Sequence, residues 1–567
     1  MTRIRATSVL SGIGWIAALV ACSSGQDGRS GGFGSESSEA GDSYVELESA
    51  LGAAPSPVGA SGTPSPVRAL SATSTLVTSA AVPPDPAFAT PLPIPPVLAP
   101  TSSGANGDSY SIAIRPGQAQ MRAGAATPIV GFNGIAPGPT IVATRGRTVQ
   151  VTQSNDWTEN VTVHNHGHKV AASSDGHPTD FIAPGASKVY TYPNDQNAGT
   201  YWYHDHTMDL TGPHVYQGLA GFYIIRDPAE DALGLPSGAF DIPLLIQDKN
   251  FNSDNSLSYD HDFFFGLLGE TAVVNGAATP HLDVGARKYR FRVLNGSNAR
   301  PLALELHVGG STTAEEFQVI ASDGGLLPAP VELAVLPVAP AERYDVVVDF
   351  SKYPVGTKLD LVTAPPAELG ALGLNDTGDT TGLLVPTGEG IVLGPVSAGG
   401  LIPSGVEPGS TPLPVMQFVV DRPEADSSQV PAQLARVERL NPADAVSEQA
   451  IVFRFDGEDW TLNDRKFDPT RIDVSSKLDQ VYIWSLENDS PLPHPFHKHL
   501  SLFNVLDING ASPPSFMSGW KDTVMVPPFA KVRIVFKDES FTGTYVFHCH
   551  NLEHEDHGMM AQEQVEP

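Results

Sequence analysis

The chain has 567 residues, enough for three or four cores at roughly 150 residues each, and carries 33 basic against 63 acidic side chains, a formal charge of −30. That acid excess excludes electrostatic binding of nucleic acid or of an anionic lipid surface. With 54 glycines and 50 prolines beside 41% hydrophobic residues, the composition describes a turn-rich β protein joined to a segment that cannot fold.

The N-terminus reads "MTRIRATSVLSGIGWIAALVACSSG". Arg3 and Arg5 precede an apolar run, Val9 to Ala21, of signal-peptide length and short of a membrane span. It closes on Leu19-Val20-Ala21-Cys22, which resembles a lipoprotein cleavage site, so residues 1–22 are expected to export the chain and Cys22 to carry lipid. The expected location is a membrane-anchored lipoprotein, periplasmic or at the outer membrane or cell surface. Residues 23–106, with "GGFGSESSEAGD" and "VPPDPAFATPLPIPPVLAP", are too poor in apolar surface to fold and are expected to be a disordered tether.

Beyond it, "TVQVTQ", "KYRFRVLNG", "RYDVVVDF" and "KVRIVFKD" alternate with the period of strands, and long helical patterns are scarce. Looser stretches near Arg226 to Pro236 and Gly388 to Pro414 divide the remainder into blocks 107–230, 237–390 and 412–567. The fold class is therefore all-β, built from sandwiches or barrels.

Ten of the 17 histidines fall in four clusters, in the first and last blocks alone. His164/His166, His204/His206, His497/His499 and His548/His550 are each spaced by two, so on a strand both rings of a pair project from one face. Eight neutral nitrogens with no obligatory carboxylate favour copper. Cys549, between His548 and His550, must then face the other way, with His494, His554 and Met559 as companions. Two His, one thiolate and a weak axial Met form the ligand set of a blue-copper centre. Zinc binds Cys and His as well, but has no redox chemistry for such a two-site bridge to serve.

Four motifs in order, "VHNHG", "YWYHDH", "HPFHKH" and "HCHNLEHEDHGMM", with "NGIAPGPTI", "SDGHPTDF" and "VAPAERYDVVVDF", make the chain similar to the multicopper oxidases, most of all to bacterial spore-coat laccases and bilirubin oxidases. The resemblance runs from about Ser109 to the end. It implies three cupredoxin-like Greek-key domains, the second without copper, and four copper ions. His494, Cys549, His554 and Met559 would hold type 1 copper, and His164 and His497 type 2. His166, His204, His206, His499, His548 and His550 would hold the type 3 pair. Asp175 and Glu555 occupy positions that deliver protons in similar enzymes. Asn165 stands where the family usually has Trp or another apolar residue.

The expected reaction takes electrons singly from phenolic or other aromatic donors, bilirubin included, through an exposed edge of His554 or His494. They pass by Cys549 to His548 and His550, and dioxygen is reduced to water. The partners are dioxygen and small reductants, and a monomer is expected. Rival readings are a Cu(I) or Mn(II) oxidase, weakened for copper by the absence of a Met-rich insert, and a lipid-anchored electron carrier, which would not need the eight-His set. His168, His177, His214, His557, His261, His281 and His307 are expected to be structural.

Overall fold

A computed structural model of the chain describes residues 87–363, 383–387, 390–394 and 413–567. The expected leader, Cys22 and most of the expected tether lie outside these residues.

Strand residues alternate between buried and exposed wherever one face of a sheet meets water, as in Val149–Asn155, because successive side chains point to opposite faces. The strands form three sandwiches in chain order. In the first, a sheet containing Gly107–Ala119, Thr127–Phe132, Val149–Asn155 and Ser187–Tyr192 faces a four-stranded sheet. That second sheet is Gly138–Thr144, Ala220–Arg226, Gly199–Asp205 and Val163–His166. Ile112, Val151, Tyr190, Tyr201 and Tyr223 pack between them. The second sandwich pairs eight strands with six around Leu244, Phe291, Val319, Leu359 and Phe418. The third pairs two five-stranded sheets around Trp484, Phe496, Phe536 and Phe547.

Two expectations about chain division are corrected. The tether was expected to run free to residue 106, but from Ala87 onward the chain lies on the folded body. Proline cannot donate to a ladder, yet the residues between the prolines can. Phe88 N donates to Thr279 O at 2.8 Å, Leu92 N to His281 O at 2.7 Å and Leu98 N to Thr140 O at 2.8 Å, and Leu92 enters the second core. His281 adds its ring, with Nδ1 3.0 Å from Phe88 O.

The third block was expected to start at residue 412, but Leu413–Arg422 belongs to the second sandwich. It pairs with Lys358–Thr363 and His281–Gly285 and buries Val415, Met416, Phe418 and Val420 in that core. The strands on either side of the Pro/Gly-rich stretch thus belong to one sandwich, and the third begins with the strand Ala445–Phe455.

Candidate metal centre

Register places the histidines before any metal is invoked. In the first sandwich His164 lies opposite His204. In the third, His497 lies opposite His548 while Phe496 lies opposite Cys549. The two-residue period therefore puts His497 and His548 on one face of this sheet and Cys549 on the other, in the hydrophobic core with Met559.

On the first face eight imidazoles converge, all at most 1% exposed. His164 stacks on His499 with ring centres 3.8 Å apart, and His166 on His497 at 3.6 Å. Nε2 of His206 and of His548 approach to 3.3 Å. Seven of the eight rings, all but His550, have a polar partner on their outer side. Nδ1 of His164, His204 and His497 donates to the carbonyls of Asp175, Asp205 and Asp522 at 2.6, 2.8 and 2.8 Å. His499 Nδ1 donates to Asp175 Oδ2 at 2.7 Å. Glu555 sets its two oxygens 3.2 and 3.0 Å from Nδ1 of His206 and His548, and itself accepts from Thr211 Oγ1 at 2.8 Å.

The inward nitrogens provide the test of fit. Nε2 of His164, His204, His497 and His499, Nδ1 of His166 and both nitrogens of His550 are buried and take no hydrogen bond. A buried polar atom left so costs roughly 1–3 kcal/mol, and here the bare lone pairs point at one another. Burial holds His164, His166, His206, His497, His499 and His550 well below the usual imidazole value and His204 down to about 4. Rings anchored on one nitrogen and bare on the other, as His164, His166, His204, His497 and His499 are, are what a cation with imidazole ligands requires. His206, His499 and His548 form one compact triad, and His164, His166 and His204 another.

On the opposite face Cys549 Sγ lies 3.4 Å from Nδ1 of His494 and 3.7 Å from Nδ1 of His554. Met559 is buried, and its carbonyl accepts from Cys549 N at 3.0 Å. Both outer nitrogens are occupied, His494 Nε2 by Ser490 Oγ at 2.9 Å and His554 Nε2 by Phe264 O at 2.9 Å. Desolvation pushes His554 down to about 3 and the Cys549 thiol upward. A soft cation would find one sulfur and two neutral Nδ1 atoms already oriented. The expected exposed edge of His554 or His494 is corrected, since both rings are wholly buried.

Several residues that shape the site carried no pattern in the sequence. His166 differs from the other anchored rings because its Nε2 faces outward, 3.0 Å from Asp522 Oδ1 and 3.1 Å from Thr523 Oγ1. Asp522 is held in turn by Arg343, whose Nη1 donates to Oδ1 at 2.7 Å. Arg343 belongs to the second sandwich, which supplies no histidine to the site. Gly167, at φ +82°, lets this pair pass, because a Cβ there would fall 2.3 Å from Asp522 Oδ2. Trp202 stacks on His204 at 4.3 Å. Asn165 is buried facing away from the rings, opposite Tyr203 in register. Of the histidines expected to be structural, His214 pairs with Asp205 at 2.9 Å, His177 with Gln562 at 2.8 Å and His307 with Glu305 at 2.8 Å.

Comparison with known proteins identifies the family. Residues 113–230 and 439–567 each match a family described as Multicopper oxidase. The chain is 35% identical over 497 residues to a bilirubin oxidase of Albifimbria verrucaria, covering 84% of this chain and 81% of that one. It is 33% identical to a laccase of Bacillus subtilis, covering 83% and 97%. A solved laccase from Pediococcus acidilactici superimposes with a TM-score of 0.72 at 31% identity, covering 85% of this chain and 95% of that one. The chain belongs to the multicopper oxidase family. Its sandwiches are cupredoxin-like, and it is a copper-binding oxidoreductase that uses dioxygen.

Proposed function

We propose that this chain is a laccase-like oxidase that removes electrons one at a time from phenolic and other aromatic donors, bilirubin among them, and reduces dioxygen to two waters. The observation that carries this reading is the run His548-Cys549-His550 at the end of the strand Gly543–Cys549, whose sulfur faces one donor set and whose imidazoles face the other. His494, Cys549, His554 and Met559 would hold type 1 copper. His164 and His497 would hold type 2, and His166, His204, His206, His499, His548 and His550 the type 3 pair. Copper supplies the reversible one-electron change that side chains lack.

The chain's own residues do the rest. Cys549 and its two neighbours give the electron a continuous covalent path between the sites. Asp175 and Glu555 stand beside the eight-His site as its proton-delivering carboxyls, Asp175 with its carboxyl raised above the usual range by burial. Asp175→Asn keeps an acceptor for His499 Nδ1 but loses the titratable proton. Turnover is expected to fall by about 100-fold while the blue absorption stays intact, and full turnover across the pH range would remove Asp175 from proton delivery.

Copper analysis joined to oxygen uptake tests the whole. Four coppers per chain, and rates ranking phenols or bilirubin above Mn(II) and Cu(I), are the expected outcome. The acid excess of the chain favours metal-ion oxidation as the second reading, and the reverse ranking would establish it. A blue protein that consumes no oxygen with any donor would overturn both.

A further inference from the structure

The outer edge of His554 is closed by the chain itself. Phe264, whose carbonyl accepts from Nε2 at 2.9 Å, belongs to the segment Tyr259 to Leu267 of the second block. Asp262 shapes this turn, its Oδ1 accepting from Phe264 N at 2.8 Å and Phe265 N at 3.2 Å, and its carbonyl from Gly266 N at 2.7 Å. The turn is tied to the helix Leu552–Asp556, which carries His554. There Glu553 accepts from Tyr259 OH at 2.7 Å and from Leu267 N at 3.0 Å. Asn551 Nδ2 adds a hydrogen bond to Phe265 O at 3.1 Å.

Beneath the turn the Phe264 ring packs on Trp460, with centres 5.0 Å apart, and Trp460 lies 4.6 Å from His554. Outside it Phe263 is 40% exposed, its ring 6.1 Å from that of Phe455. An aromatic surface is thus joined through the Phe264 peptide to a sealed imidazole, whose Nε2 also lies 3.2 Å from Asn551 Nδ2.

Resting on the laccase-like reading, we propose that Phe264 determines donor specificity by occupying the hydrogen bond from His554 Nε2 that a phenolic oxygen would otherwise accept. Donors then dock on the Phe263 surface and give up their electrons across the Phe264 peptide without touching His554. Reagents that transfer an electron without forming a bond are favoured over phenols that need that hydrogen bond. Each donor loses one electron, a phenol releases its proton to solvent, and four electrons with four protons convert one dioxygen to two waters.

The test uses the copper-loaded chain and the variant Tyr259→Phe with Asp262→Ala, which unties the turn without altering a proposed ligand. Hydroxyl-radical modification of histidine rings, mapped by mass spectrometry, reads ring exposure whether or not a metal holds Nδ1 and independently of activity, and the exposed His261 is the internal standard. In the native chain His554 is expected to stay unmodified while His261 reacts. In the variant His554 reacts, and kcat/KM for a methoxyphenol rises about tenfold relative to hexacyanoferrate(II), the weight of one hydrogen bond.

Modification of native His554 as fast as His261, or an exposed His554 with no change in that ratio, overturns the proposal. So does a His554 that stays protected in the double variant and also when residues 262–265 are all glycine. If the native chain oxidises no donor, the laccase-like reading fails, while the modification result still decides whether the cap exists.

Discussion

Cys549→Ser is expected to leave the protein colourless and to lower oxygen consumption with any donor by at least ~1000-fold, equivalent to ~4 kcal/mol of barrier. The sulfur lies within 3.7 Å of Nδ1 of both His494 and His554, so it is the one anionic donor in that set, and a serine hydroxyl is a hard, neutral replacement. Burial holds the free thiol in its protonated form, so its thiolate is stable only with a cation beside it. Serine differs by one atom in a closed core and leaves the strand pairing of Phe496 with position 549 unchanged. His548 and His550 remain on the opposite face, so one copper per chain is expected to be lost and the rest retained. Metal analysis, visible absorption and an oxygen electrode measure the three effects. Retained oxygen consumption would mean that electrons enter the eight-His site by another path, and a loss of all copper would mean that the two sites do not fill independently.

The histidines were legible in the sequence because a strand converts a spacing of two into a shared face, and cross-strand register does the same between strands. His497 opposite His548 follows from that period once the strands pair, and the placing of Cys549 on the other face follows with it. What lay beyond the sequence depends on distant chain that carries no period of its own. Asp522 reaches His166 from 356 residues away, and its support, Arg343, comes from a block that looked inert because it had no clustered histidine. Phe264 lies 290 residues before His554, in an aromatic run whose plain reading is core. The expected open edge at His554 failed for that reason, since a ligand motif describes what faces the metal and not what covers its back. Leu413–Arg422 was assigned to the wrong sandwich because composition registers the loose stretch before it, whereas strand pairing decides where the chain returns.

The second large effect concerns Asp522. Asp522→Asn is expected to destabilise the chain by ~3 kcal/mol, the lower end for breaking a buried ion pair, because it removes the carboxylate that takes both Nη1 and Nη2 of Arg343. Arg343 is fully buried; its other donors go to the carbonyls of Thr200, Ala341 and Asp323 at 3.0, 2.9 and 3.4 Å, and the only carboxylate left to its charge would be Asp323, 3.7 Å from Nη1 and shared with Lys521 at 3.0 Å. An asparagine would set an N–H against the guanidinium, or, turned over, an N–H against the ring of His166. Either way His166 loses the charge of its carboxylate partner: turned over, the amide removes the acceptor at Oδ1 outright, and otherwise a neutral amide oxygen is left there, which holds the orientation of the bare Nδ1 less firmly. Oxygen turnover is therefore expected to fall while the blue absorption stays, since Cys549 faces the other side of the sheet. Arg343→Met added to Asp522→Asn removes the under-paired charge and is expected to recover most of the stability but not the turnover, because His166 still lacks a carboxylate. Denaturant unfolding of the four proteins of this cycle, with oxygen uptake on each, separates the two roles. Turnover recovering in step with stability would make the Arg343 and Asp522 pair a structural brace alone. Stability recovering without turnover would make the second sandwich, which supplies no histidine to the site, responsible for how one ring of it points.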